Sequence, residues 1–508
     1  MNGRDIGIQR DSLPHASTVM RSIWRVKMRN VAVEGRKLFA CPQLGHYVAG
    51  TWRMLSPVGN GNSQDDRASP STAGPEAAPK SETPDRSGLG FLNPIVARSV
   101  LLTVLTLEFA VMIAAGLTMR WEHWRPGIVV PPGVFGAVFT THGVLGVFGV
   151  MAPLAGGAIV SVVFPRETLL PRLNAAALYV CTFAALALVP ALAASGTRPI
   201  PSVLCAIGLV AVAATVSTVD LGAAFVARRR ERASPEYPHF EAGVLASSTA
   251  LAVVLAAMTI NWLRVAHSAA PSGALAFLSW GGRGHAYGRF WFGIVAAAGA
   301  GLASDLSLKR PDGSVDASGW RMIAVVALVG LPLFSSGALV AVAQWIVSIA
   351  LAAGLLRGRA ARTSRLAIAS VYAGGFAITL VVAATQRTFL ALLAPDIRLH
   401  DTVAEVARFH YESACGLLAF ALAIHMHSRR ATSDAYPRRL GRIGAVTTIV
   451  GIHVSFFGEF LLGTRGMPRR YHDYLPMMQT HQRVAAVGAA MFAIGVLLAA
   501  AALVRGRR

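Results

Sequence analysis

VAAVGAAMFAIGVLLAAAALV, residues 484–504, runs for 21 residues without a charged side chain. An α-helix rises about 1.5 Å per residue and the hydrocarbon of a bilayer is about 30 Å thick, so about 20 apolar residues suffice to cross it. Such a helix satisfies its own backbone hydrogen bonds and needs no water to do so. Similar runs recur along the chain. From Asn93 onward there are about twelve, beginning near residues 94, 131, 173, 200, 240, 276, 320, 337, 365, 400, 440 and 480. The composition of all 508 residues agrees: 54% are hydrophobic and 14% charged, where soluble domains carry about a quarter charged. The mean hydropathy is +0.52. The expected fold is an all-α polytopic membrane protein with little room for an extramembrane domain.

Residues 1–93 read differently. Val58 to Gly90 is rich in Ser, Pro, Gly, Asp and Arg without apolar periodicity, a composition that does not bury enough surface to fold. The segment before it holds Arg21, Arg25, Lys27 and Arg29 but no apolar core or cleavage site of a secretory signal. The expected organisation is a basic, largely disordered cytoplasmic extension over 1–93 and a membrane domain over 94–508.

The formal charge is +22, from 47 Lys+Arg against 25 Asp+Glu, which raises the question of a nucleic-acid partner. The charge sits mostly in short loops between apolar runs, so membrane topology accounts for it and no nucleic acid is expected. Arginines cluster after even-numbered spans, among them Arg228, Arg229, Arg230 and Arg232, then Arg357 and Arg359, then Arg438 and Arg439. Those loops, and both termini, are expected in the cytoplasm, with the chain in a bacterial-type inner (plasma) membrane. One outer loop breaks the rule, since Gly463 to Tyr474 holds Arg465, Arg469 and Arg470. Misplaced arginines of this kind suit an anionic ligand. The four cysteines, Cys41, Cys181, Cys205 and Cys415, form neither a disulfide framework nor a Cys-x-x-Cys-His attachment site.

Under this topology His142, His285 and His410 lie about ten residues into the second, sixth and tenth spans, which puts each about 15 Å below the outer surface. His453 reaches a similar depth on the eleventh. Imidazoles in one layer of a low-dielectric bundle are costly without partners, and metal ligation removes the cost. A lone intramembrane histidine is more often a hydrogen-bonded helix contact, so the surrounding residues must decide. His425, His427, His472 and His481 fall near span ends and read as solvated.

Those surroundings resemble subunit I of the haem-copper oxidases, the cytochrome c and quinol oxidase family. The second span and its exit carry Thr141-His142-Gly143, then Met151-Ala152-Pro153, then Pro171-Arg172-Leu173-Asn174. The sixth holds Trp280 and Gly284-His285. The tenth begins Leu399-His400-Asp401-Thr402 and continues Arg408-Phe409-His410-Tyr411. The eleventh ends Phe456-Phe457, then Gly466-Met467-Pro468-Arg469-Arg470. The resemblance implies a twelve-transmembrane-helix bundle of the subunit I type. It makes His142 and His410 the axial ligands of a low-spin haem, a six-coordinate iron that relays electrons. It puts Arg469 and Arg470 on the haem propionates, and His400 and Asp401 near the propionates and a magnesium site.

The same resemblance marks departures. Arg408 stands where the family's high-spin haem has its histidine ligand, and a guanidinium has no acceptor for iron. His285 matches one of three copper ligands, but Leu331 and Pro332 replace the adjacent pair, which leaves His285 a vestigial copper position. Arg289 replaces the tyrosine expected four residues after the first copper histidine, Tyr287 replaces the acidic residue of the inner proton path, no lysine follows Lys309, and Glu167 replaces an aspartate. The cofactor expected is therefore one low-spin haem, with neither copper nor a second haem, and oxygen reduction is expected to be impaired. Glu405, Arg408 and Glu412, spaced i, i+3 and i+7, share one helix face, while His410 points elsewhere. That stripe could fill the volume of the missing centre with Arg283 or Arg289, or could face a neighbouring subunit or solvent. His453 could ligate a second haem or make a core hydrogen bond.

The functional expectation is a subunit I-like haemoprotein of aerobic respiratory electron transfer. Its partners would be other oxidase-type membrane subunits, a cytochrome c or quinol donor, and the lipid bilayer. A non-catalytic haem-binding partner or sensor associated with an intact oxidase is the alternative. A twelve-helix solute transporter fits the span count alone.

Overall fold

The computed structural model describes, with small gaps, residues 94–125, 130–163, 237–250, 285–309, 315–334, 338–357, 367–428, 433–469 and 471–506. The extension over 1–93, the spans beginning near 173 and 200, Glu167, Arg283 and Arg470 lie outside the described residues, as do the side chains of His285, Tyr287 and Arg289.

Among the described residues the regular structure is helical, with isolated β-bridges at Lys309/Val315 and Thr402/Pro468. The helices are α1 (Pro94–Trp124), α2 (Pro132–Val144), α3 (Ile159–Val163), α4 (His285–Leu308), α5 (Gly319–Phe334), α6 (Ala338–Arg357), α7 (Ala367–Ala391), α8 (Leu393–Leu399), α9 (Val403–His427), α10 (Arg438–Thr464) and α11 (Gln479–Arg505). They fall on the apolar runs expected near 94, 131, 276, 320, 337, 365, 400, 440 and 480. Helix 238–247 covers part of the run near 240. Five of the described helical segments are long and apolar enough to cross a membrane: Leu102–Trp124, Ala338–Arg357, Ile368–Ala391, Arg438–Thr464 and Pro476–Arg505. Leu339, Ile323 and Leu497 are 86%, 70% and 68% exposed, and an apolar rim of this kind belongs against lipid.

Local chemistry sets the ends of the elements that build the site. Proline at the start of α2 costs no helical hydrogen bond, because the first N–H groups have no intrahelical partner. After His142 the chain widens into a π-helical stretch, Leu145–Met151, a local irregularity frequent at functional sites. Thr402 caps α9 by accepting from the Ala404 N–H, and Glu405 sits in the first turn, where the helix dipole favours an anion.

Among the described residues helix α9 packs against α3, α4, α7 and α10, while α1 packs against α2 and α11. Its buried face runs through Ala404, Ala407, Tyr411, Ala414, Leu418 and Leu422, the i, i+3, i+4 spacing of one helix stripe. At its start α9 meets the end of α10 closely. A Cβ added at Gly463 would collide with the Ala404 backbone, so only glycine permits this approach.

Candidate functional site

His142 on α2 and His410 on α9, 268 residues apart in sequence, face each other with their Nε2 atoms 3.5 Å apart. The ring centroids are 5.8 Å apart and the planes inclined at 56°. Room for the His142 ring comes from Gly116 on α1, where an added Cβ would lie 3.1 Å from Cε1.

The far side of each ring fixes what the facing nitrogens can be. His142 Nδ1 lies 2.9 Å from the Met112 carbonyl oxygen, and His410 Nδ1 lies 3.1 Å from Glu459 Oε2. A carbonyl and a carboxylate both accept, so each Nδ1 donates, and in the neutral rings each Nε2 turns a lone pair toward the other. Two opposed lone pairs at this distance repel unless a cation lies between them.

A cavity of about 550 Å³ surrounds the pair, within the range of small-molecule and cofactor sites. Phe135, Phe139, Val406, Phe409 and Phe456 supply apolar wall, while His400, Arg120 and Arg469 bring polar groups. The Phe456 ring stacks on His410 with centroids 4.7 Å apart and planes at 11°. Arg120 from α1 forms an ion pair with Glu459, and its Nη1 donates to Gln482 Oε1 at 3.3 Å.

At one end of the cavity, backbone bonds clip the start of α9 to the segment after α10. Val403 N–H donates to Met467 O and Arg469 N–H to Asp401 O, each at 3.0 Å, and Arg469 Nη2 pairs with Asp401 Oδ1 at 2.6 Å. His400 Nε2 lies 3.1 Å from Asp401 Oδ2, with both side chains exposed. Beside them His472 pairs with Glu122 at 2.9 Å, and Tyr474 donates its hydroxyl to the His123 carbonyl. Burial, the largest influence on the Tyr474 phenol, moves its pKa up and keeps it a donor.

The opposite face of α9 holds the ionic stripe. Arg408 Nε and Nη2 reach Glu405 Oε2 at 2.9 and 2.7 Å, and Nη1 reaches Glu412 Oε1 at 2.7 Å. All three are buried, at 6–7% exposure for Arg408 and Glu405 and 2% for Glu412, so within this chain they face neither solvent nor a neighbouring subunit. A second cation joins them from α7: Arg387 Nη1 lies 3.6 Å from Glu412 Oε1, with its guanidinium 5.3 Å from the centre of the Phe292 ring. Glu405 and Arg408 also border the histidine cavity.

The sequence reading singled out His142, His400, His410, Asp401, Arg469 and the stripe, of which the structure sets His142, His400, His410, Glu405, Arg408 and Arg469 around one cavity, with Asp401 on Arg469 and Glu412 on Arg408. It missed Glu459, Arg120 and Arg387. Glu459 carried a usable signal, as the single acidic residue of an otherwise membrane-compatible run. His453 does not reach the cavity: its Nδ1 lies 3.2 Å from the Tyr411 hydroxyl and its Nε2 3.4 Å from Thr379 Oγ1. The expectation that His425 is solvated is corrected. It is 3% exposed, with Nδ1 on the Ala421 carbonyl and Nε2 on the Tyr436 hydroxyl, because α9 continues inside the bundle to its last turn.

These features define a helical membrane protein with a paired-imidazole cavity. Residues 96–497 match the family model described as Cytochrome C and Quinol oxidase polypeptide I, and the chain belongs to that family. It is 33% identical over 136 residues to cytochrome c oxidase polypeptide 1 of Halobacterium salinarum, covering 26% of this chain and 23% of that protein. It is 32% identical over 133 residues to cytochrome c oxidase subunit 1 of Bacillus subtilis, covering 26% and 21%. The matches thus span less than a quarter of those relatives' lengths. A solved heme-copper terminal oxidase dimer, determined by cryo-EM, superposes with a TM-score of 0.65 at 14% identity, covering 82% of this chain and 83% of that one, a likeness of fold.

Proposed function

We propose that this chain is a subunit I-type membrane haemoprotein of aerobic respiratory electron transfer, holding one low-spin haem between His142 and His410. The observation that carries the reading is the pair of opposed Nε2 lone pairs, each oriented by a hydrogen bond on its far side. Metal–imidazole bonds run about 2 Å, so a gap of 3.5 Å needs only about half an ångström of opening to admit one metal ion. The cavity volume, its apolar walls and the arginine at its clipped end suit a large apolar group with anionic arms. His142 and His410 would ligate, Arg469 and Arg470 would meet the propionates, and His400 and Asp401 would lie beside them.

Bound there, an iron porphyrin supplies a one-electron couple. The protein's part would be to hold the group with the His142 and His410 imidazoles, to exclude water with Phe139, Phe409 and Phe456, and to hold both ring tautomers through Met112 and Glu459.

Oxygen reduction is impaired in this reading, because Arg408 stands at the family's high-spin ligand position and is fully engaged by two carboxylates. Copper and a second haem are likewise absent from the proposal, with His285 a vestige. The chain works beside other oxidase-type subunits, takes electrons from a cytochrome c or a quinol, and has both termini on the cytoplasmic side of the plasma membrane.

A reduced-minus-oxidised spectrum with metal analysis on the purified full chain tests this. The expected result is one haem per chain, a sharp low-spin band, no carbon monoxide shift and no copper. A colourless preparation from iron-replete cells ends the haem assignment. A carbon monoxide-sensitive band with stoichiometric copper overturns the loss of oxygen chemistry.

A further inference from the structure

The two facing imidazoles are not equivalent, and the difference lies in one residue of α10. His142 Nδ1 donates to a peptide carbonyl, a neutral dipole, at 2.9 Å, whereas His410 Nδ1 donates to the Glu459 carboxylate at 3.1 Å. Glu459 is 1% exposed, so its charge acts with little screening by water. Phe456, three residues earlier on the same face, stacks on His410 and holds the ring's Nδ1 edge toward the carboxylate. Arg120 pairs with the other oxygen of the acid, and Gln482 in turn holds Arg120 by accepting from its Nη1.

A carboxylate accepting the distal N–H of a ligating histidine draws that proton away and leaves the ring more electron-rich, which raises its strength as a donor. A stronger donor favours ferric over ferrous iron, and hydrogen bonding to the axial ligand is one of the levers that set a haem potential. We propose that Glu459 is a positioning residue that holds the reduction potential of the His142/His410 haem low, acting through His410 Nδ1. This rests on the haem assignment made above and adds a residue that neither the spacing of the histidines nor the ligand positions supply.

Glu459→Gln tests it, because glutamine keeps the length and an acceptor oxygen but removes the charge. Redox titration of the purified full-length variant should show haem retained at wild-type stoichiometry and the midpoint potential shifted upward. The ferric low-spin EPR signal should shift with it. Glu459→Asp, which keeps the charge but withdraws it by one methylene, should shift the potential in the same direction by less, and it carries the test if the glutamine variant does not fold. An unchanged potential and EPR signal in a fully loaded Gln variant overturns the role of Glu459 while leaving the haem assignment standing. A wild-type preparation without haem removes the assignment itself, so the two failures are distinguishable.

Discussion

Helix α9 shows two faces with opposite solutions to one problem, how to keep polar groups inside an apolar bundle. On one, His410 leaves an uncommitted Nε2 facing His142 across a cavity, with its other nitrogen fixed by Glu459. On the other, two residues earlier, Arg408 spends its donors on Glu405 and Glu412, and Arg387 approaches from α7. The first face leaves two facing imidazole nitrogens 3.5 Å apart; the second pairs its charges internally. In the haem reading proposed above, one helix would keep one of two metal-ligand positions and fill the other with salt bridges.

The comparison breaks most completely at the histidines. His142→Ala or His410→Ala should abolish haem binding, read as loss of the Soret band from a chain that still purifies as a membrane protein. Retention of a full Soret band by both variants would place the haem elsewhere.

Next comes the compensated face. Arg408→Leu leaves two buried carboxylates with only Arg387 nearby, and breaking a buried pair from one side costs about 3–5 kcal/mol. The detergent-solubilised variant should unfold at a markedly lower temperature. An unchanged unfolding temperature would show that the stripe does not support the bundle.

Smaller effects sharpen the boundary of the site. His453→Gln should leave haem content unchanged and cost about 1 kcal/mol, from the contacts to Tyr411 and Thr379; haem loss in that variant would make His453 part of the site. Asp401→Asn should matter least for stability, below about 1 kcal/mol, since its side chain is 67% exposed and the backbone bonds of the clip remain. Thermal unfolding in detergent reads both.

The periodicity of the runs made the helices legible, and the placement of His142 and His410 at equal depth made the pair legible. The stripe was legible too, because i, i+3 and i+7 share a face on any helix. Its second cation was not. Arg387 sits at the far end of α7, and nothing in its neighbours marks it as a partner of Glu412. Arg283 and Arg289 looked as suitable. His425 was misread for a related reason: proximity to a span end says how far along a helix a residue lies, not which way it faces.

By itself the sequence determined the helical membrane class, because length and hydropathy are properties of a segment and need no partner. It also determined that position 408 is an arginine flanked at i−3 and i+4 by glutamates, since that is a fact of identity. Only the tertiary structure decided that the His410 Nδ1 edge meets Glu459, that Arg120 shares that carboxylate, and that α10 approaches α9 closely at Gly463. Those contacts join helices far apart in the chain. Side-chain direction across a helix interface depends on crossing geometry, which local pattern does not encode.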